Sequence, residues 1–287
     1  MLRHRADLQS LLYMLLYPAL IAWQWRWGIH WLLYPLMLYI GVGLAVAQHN
    51  HTHLFFWRSR ALNRLTDLWL SVLQGSPTFV FYPTHIAEHH RYNGGPLDLT
   101  SPSHFGGHHT HLKGYLLHPF QALNAIKLLI ASYVKRRWAQ GDRWPVIELA
   151  VIALSWLILL NLDPRRCLLL ILLPQLHSAH WLLGANYLQH AHPSAPDEAL
   201  GERAYTRNFT GWMNYFWFNI GYHSAHHENG KLHWSELPKR HAELRDDIPP
   251  QLIEPSMAGY MIRTYLLRRP SAEPPHKHKA ERSSAEG

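Results

Sequence analysis

The sequence predicts an all-α integral membrane protein, with four transmembrane helices paired into two hairpins and a histidine-rich cap with interfacial helices on the cytosolic side. Three observations carry this expectation: long apolar blocks, basic residues gathered on one side of them, and histidine clusters at block ends. Residues 11–27 are apolar at 14 of 17 positions and 29–47 at 15 of 19; residues 144–162 are apolar at 15 of 19 and 167–185 at 13 of 19. A span needs about 20 mostly apolar residues to cross a hydrocarbon layer of about 30 Å. The first two blocks therefore form one hairpin turning at 26–29, and the last two a second, joined by 161–166. Trp23, Trp25, Trp27 and Trp31 belong at the membrane interface.

Shorter apolar stretches lie outside the spans. Residues 68–82, broken by Gly75, Ser76 and Pro77, and residues 120–134, broken by Asn124 and Lys127, suit helices lying in the interface. Residues 208–222, with Trp212, Tyr215, Phe216, Trp217 and Phe218, read the same way. Residues 1–268 form one domain, and 269–287, rich in Pro, Ser, Glu and Lys, form a disordered tail.

Orientation follows from charge. Two Lys or Arg precede the first span, ten lie in 58–143 and twelve follow the fourth span, whereas the two short turns hold only Arg26, Arg165 and Arg166. The positive-inside rule then puts both termini and the middle segment in the cytosol. Arg3 and Arg5 before an apolar block could mark a signal peptide, but no small-residue cleavage site precedes the second block. No ER retrieval signal ends the chain, which favours a bacterial inner membrane over the ER.

Composition narrows the chemistry. A net charge of +8 suits nucleic acid or an anionic membrane, and the apolar blocks select the membrane and leave no nucleic-acid role. Cys167 is the single cysteine, so a disulfide framework, a thiolate zinc site and a thiolate-held iron–sulfur cluster are excluded. Metal binding must use nitrogen and oxygen. Histidine supplies the nitrogen, at 24 of 287 residues.

The histidines cluster. His49 and His53 are four apart, one face of a helix, just after the second span. His85, His89 and His90 form a second cluster, and His223, His226 and His227, at offsets of three and four, a third. Asn186 and His190 are four apart at the end of the last span, with His192 beyond. A lone HxxxH pair is most often structural, but repeated clusters at span ends are not. Nine histidines exceed the four ligands of one tetrahedral metal and suffice for two metals of higher coordination.

These motifs, His49xxxHis53, His85xxxHis89His90, the stretch from Asn186 through His190 to Pro193, Gly221-Tyr222-His223xxHis226His227 and His233-Trp234-Ser235-Glu236-Leu237-Pro238, resemble the membrane fatty acid desaturase and hydroxylase family. The resemblance spans roughly residues 49–238, and the third box is its most specific part. It implies two iron ions held by His49, His53, His85, His89, His90, His190, His223, His226 and His227, with Asn186 holding metal through water and no catalytic residue beyond the metal centre. It also implies O2 as co-substrate, an acyl substrate presented as free acid, thioester or lipid, and an electron-donor protein of ferredoxin, rubredoxin or cytochrome b5 type. Neutral imidazole suits iron.

Second-sphere carboxylates should orient the rings. Glu88, Asp98, Asp67 and Glu228 are the candidates, the first two leading because they lie in or just after a box. The second box carries three residues before its His pair where the commonest desaturase form has two, a spacing more typical of alkane hydroxylases and carotenoid ketolases. Hydroxylation and oxidative decarboxylation to a terminal alkene thus stay open. A histidine-rich metal transporter is the non-enzymatic alternative, supported only by His177 and His180 inside the fourth span.

The remaining histidines have plainer expectations. His51, at an odd offset, belongs behind the ligands. His104, His108, His109 and His111 lie in a loop and suit a solvated or lid role, and His276 and His278 belong to the solvated tail. Trp69, Phe79 and Phe81 are candidates to line an acyl chain, and Arg91, Arg136 and Arg137 to meet an acidic head group or lipid phosphate.

Overall fold

Helix α1 (Leu8–Trp27) follows a short 3-10 turn at Arg5–Asp7, and α2 (Leu33–His53) returns beside it. This computed structural model describes residues 1–95, 97–105, 111–191 and 205–267. The turn between α1 and α2 uses Gly28 at φ 96°, a value that glycine reaches without a Cβ clash. The first hairpin is thus as expected, except that α2 starts at Leu33 and not at 29.

That later start matters for the span count. Only 33–47 of α2 is apolar in character before Gln48, and 15 residues at 1.5 Å each reach about 22 Å, short of a hydrocarbon layer of about 30 Å. Three helical stretches are long and apolar enough to cross a membrane among the described residues: Arg5–Trp27, Trp144–Leu162 and Pro164–His190. Three of the four expected spans meet that measure, while α2, which runs back beside α1 as the most enclosed helix, carries a shorter apolar run. Residues 40–52 of α2 are all buried, packed mainly between α1 and α6 (Pro164–His190).

Helix α3 (Arg60–Gln74) is strongly amphipathic. Ser59 caps it by accepting from the Leu62 N–H, and Gly75 ends it in the left-handed conformation at φ 62°. The interfacial helix expected over 68–82 thus stops at the glycine that interrupts its apolar pattern. Residues 120–134 lie inside the 28-residue helix α4 (Leu112–Ala139), capped by His111, whose Nδ1 accepts from the Gly114 N–H. Helix α5 (Trp144–Leu162) carries apolar side chains outward, and α6 begins at Pro164, passes through a π-helical stretch at Leu168–Leu172 and ends at His190.

The expectation of an interfacial helix over 208–222 fails. Asn208–Phe209 forms a strand β1, pairing in parallel with β2 (Ile253–Glu254), and only Met213–Phe216 is helical. Asn214 accounts for the turn: its Nδ2 donates to the Phe209 carbonyl at 2.8 Å and its Oδ1 accepts from the Gly221 N–H at 2.9 Å. A Cβ on Gly221 would stand 2.1 Å from the Phe209 oxygen, so only glycine fits this crossing. The aromatic residues here divide: Phe209 and Phe218 are fully buried, whereas Trp212, Tyr215 and Phe216 are exposed.

One end of the bundle gathers the polar machinery. The Arg3 N–H donates to the Phe56 carbonyl at 2.8 Å, fixing the N-terminus beside the end of α2. Asp7, buried, accepts from Trp234 Nε1 at 3.0 Å and lies 3.2 Å from His233 Nε2, tying the same region to the chain after the third box. Glu148 near the start of α5 accepts from Ser71 and from the Phe79 N–H, each at 3.0 Å. Histidines 108, 109, 192, 276 and 278, Pro193 and the tail 269–287 lie outside the described residues.

Candidate metal centre

The nine histidines named from sequence converge into two groups. His49, His53, His85, His90 and His226 form one, and His89, His190, His223 and His227 the other, with ligand atoms within 4.8 Å of one another in each. Helix geometry explains the sorting. Neighbouring residues on a helix point about 100° apart, so each adjacent pair, His89-His90 and His226-His227, sends one ring to each group. His49 and His53, four apart, stay together, with Nε2 atoms 3.2 Å apart.

The second box needs a different winding. On an α-helix, residues five apart point about 140° away from each other, which would separate His85 from His90. The segment Tyr82–His89 is instead π-helical, and the His90 N–H donates to the His85 carbonyl. The two Nε2 atoms then meet at 3.0 Å, and His85 Nε2 lies 2.7 Å from His49 Nε2. His85 therefore takes its place in the first group.

The donor set fits a metal ion. Metal–imidazole bonds of about 2.0–2.1 Å at right angles place neighbouring nitrogens about 3 Å apart, and the observed Nε2 separations run from 2.7 to 3.2 Å. The buried His89 Nε2 has no protein hydrogen-bond partner among the described residues. Burial, reinforced by neighbouring imidazoles, holds these rings neutral: His85, His223, His226 and His227 lie well below the usual histidine range. Burial also lowers His49 to about 4 and His90 to about 3. Neutral rings are the ligand form.

Asp98 anchors the second group. Fully buried, its Oδ2 accepts from His89 Nδ1 at 2.7 Å and from the Gly94 N–H at 2.9 Å, while Oδ1 accepts from Thr100 N–H and Oγ at 2.9 and 2.8 Å. Burial alone would raise this carboxyl; the bonds from His89 and Thr100 outweigh it and hold Asp98 well below the carboxylate range. With Nδ1 as donor, His89 presents a bare Nε2 to its group.

The other carboxylates have different employment. Glu88 accepts from the Leu99 N–H at 2.5 Å, and burial pushes it up to about 7 against that bond. Asp67 lies 3.3 Å from His51 Nε2, and Glu228 pairs with Arg240. His51 joins neither group: it is fully buried, and its Nδ1 accepts from the Phe56 N–H at 3.2 Å, securing the turn after α2.

Both groups face one apolar cavity of about 160 Å³, where His49, His85, His89 and His223 meet Val46, Leu123, Trp217 and Met257. Asn186 and Phe81 also line it, whereas Phe79 lines a separate pocket and Trp69 donates to the Met14 carbonyl. His180 packs edge-on against Tyr115, and His177 lines an outer apolar pocket.

Several supporting residues carry no box motif. Asn208 accepts from the Ser224 N–H at 3.0 Å and donates to Ser224 Oγ at 2.8 Å, setting the start of the helix His223–Glu228. The buried Arg207 donates to the Leu188 carbonyl at 2.6 Å, and Gln189 to the Ile220 carbonyl at 3.0 Å, joining the end of α6 to the third box. In the sequence Arg207 is one arginine in a polar stretch, and its burial is visible only in the fold.

The comparisons agree with this site. No solved structure matches the chain. A sphingolipid delta(4)-desaturase DES1 from Xenopus tropicalis is 26% identical over 236 residues, covering 78% of this chain and 69% of the relative. The sequence profile described as fatty acid desaturase matches residues 22–256. With that match over most of its length, and both histidine groups inside it, the chain belongs to the fatty acid desaturase family.

Proposed function

We propose that this membrane oxidoreductase is an iron- and O2-dependent desaturase that introduces a double bond into an acyl chain. The observation that carries the reading is the meeting of two neutral imidazole groups with one apolar cavity. Iron at the two groups would supply the oxidising chemistry: two hydrogens leave adjacent carbons, and O2, two electrons and two protons become two water molecules. The five-histidine and four-histidine groups would each hold one ion, with Asn186 reaching the second through water.

The chain's own residues do the rest. The apolar walls exclude water and lay a hydrocarbon segment against His49, His85, His89 and His223. Asp98 fixes the tautomer and orientation of His89. The N-terminus, the box-bearing ends of α2 and α6 and the start of α5 share one end of the bundle, and the basic count assigns that end to the cytosol. Electrons then come from a separate donor of ferredoxin, rubredoxin or cytochrome b5 type, attracted by the net positive charge.

The test is gas chromatography with mass spectrometry of lipids, free acids and headspace from cells expressing the wild type or His226→Ala. A new double bond absent from the variant is expected. A hydroxy acid or a volatile terminal alkene would replace desaturation with another outcome on the same scaffold. Purified protein without iron, in cells that also form no product, would overturn the enzyme assignment.

A further inference from the structure

A second pocket, of about 440 Å³, shares no lining residue with the apolar cavity. Five arginines line it: Arg3, Arg58, Arg60, Arg64 and Arg137. Against them stand two carboxylates, Asp67 and Asp142, so the pocket keeps a formal excess of three positive charges. Asp142 pairs with Arg137, Asp67 lies 3.8 Å from Arg64, and Arg3 Nε donates to the Trp57 carbonyl. The guanidinium groups of Arg58 and Arg60 carry no hydrogen bond or ion pair among the described residues, although the Arg58 N–H donates to the Met1 carbonyl at 3.1 Å.

Two features make this a built site. The Arg64 guanidinium stacks 4.7 Å over Trp144, so an aromatic face orients its fork, while Arg137 lies 6.0 Å from the Tyr133 ring with its own fork turned to Asp142. The pocket also sits where two membrane-crossing helices begin. Arg3 immediately precedes Arg5–Trp27, and Trp144 opens Trp144–Leu162. The start of a membrane-crossing helix lies at head-group depth.

We propose that this pocket binds a phosphate group, and that its occupant is the head group of an anionic membrane phospholipid. A phosphate oxyanion matches the guanidinium forks, and concavity suits a head group better than a protein surface. The site is separate from the reacting cavity and does not depend on the desaturase reading.

The experiment uses full-length protein reconstituted in mixed phosphatidylglycerol and phosphatidylcholine, extracted in mild detergent and weighed by native mass spectrometry. The wild type is expected to retain phosphatidylglycerol selectively. The triple variant Arg58→Gln, Arg60→Gln, Arg64→Gln should lose about a hundredfold in affinity, at about 1 kcal/mol per basic group near the surface. Its lysine counterpart, which keeps the charge without the guanidinium forks, should fall between the two. Retention resistant to added inorganic phosphate supports the lipid as occupant; displacement by inorganic phosphate keeps the phosphate site and overturns the lipid as its source. Equal retention of both lipids by the wild type, or undiminished retention by the glutamine variant, overturns the proposal. Arg60→Gln alone, exposed in the first turn of α3, gives the same reading with about a fivefold loss if the triple variant does not fold.

Discussion

Replacing Asp98 by asparagine tests whether the two histidine groups are held independently. The carboxylate takes three N–H donors and one hydroxyl: His89 Nδ1 and Gly94 N–H on one oxygen, Thr100 N–H and Oγ on the other. An amide can offer only one acceptor oxygen. Set toward Thr100, it would leave the donors of His89 and Gly94 facing an NH2 group; set toward His89, it orphans only the Thr100 N–H, because the Thr100 hydroxyl can turn to accept. The second orientation costs about 1–3 kcal/mol for the orphaned donor, and the first about twice that. Asparagine therefore keeps His89 in its tautomer but removes the negative charge behind it. Loss of such a partner lowers metal affinity or activity about 10- to 100-fold, and here the loss falls on the group of His89, His190, His223 and His227 alone. Chelator titration of the iron-loaded variant, following iron per chain, should show one weakened and one unchanged phase. A single phase shared by both ions, or curves identical to the wild type, would refute the reasoning.

Gly230→Ala should produce the complementary defect: its Cβ would stand 3.0 Å from His53 Nδ1 and 3.3 Å from His90 Cε1, so iron should leave the first group preferentially in the same titration. Asp7→Ala strands Trp234 Nε1 and deprives His233 of its carboxylate, and thermal unfolding should report a loss of about 1–3 kcal/mol per unpaired donor. Metal-free protein should lose stability as pH falls. The buried rings have folded pKa values below the unfolded 6.5, so their stabilisation is complete above 6.5 and declines toward about 4 for His49 and about 3 for His90. Melting temperatures of chelated protein across pH 8 to 5 should therefore fall below about pH 6.5; a rise on acidification would contradict the assignment.

The clustering of the nine histidines was legible in the sequence, and the offset of four accounts for the pairs His49 with His53 and His223 with His227, whereas the meeting of His85 with His90 needs the π-helical winding that composition does not show. Asp98 was legible for a weaker reason, its place just after a box. Asn208, Arg207 and Asn214 were not, because each acts across 16 or more residues or through a turn that aromatic content disguises as an interfacial helix. The start of α2 was not legible for a related reason: composition shows how apolar 29–47 is, but not that the helix starts at Leu33 and carries its polar end into the protein interior.

The π-helical turn at Tyr82–His89 bears on how reaction class is read from sequence in this family. One additional residue between the first histidine and the pair is taken up as slack in the winding, and the side chains at both ends still arrive at the same ligand group. Box spacing in this chain is therefore a record of local backbone pitch. The extra residue leaves His85 and His90 in one group, so in this chain the longer spacing does not by itself mark a different histidine constellation.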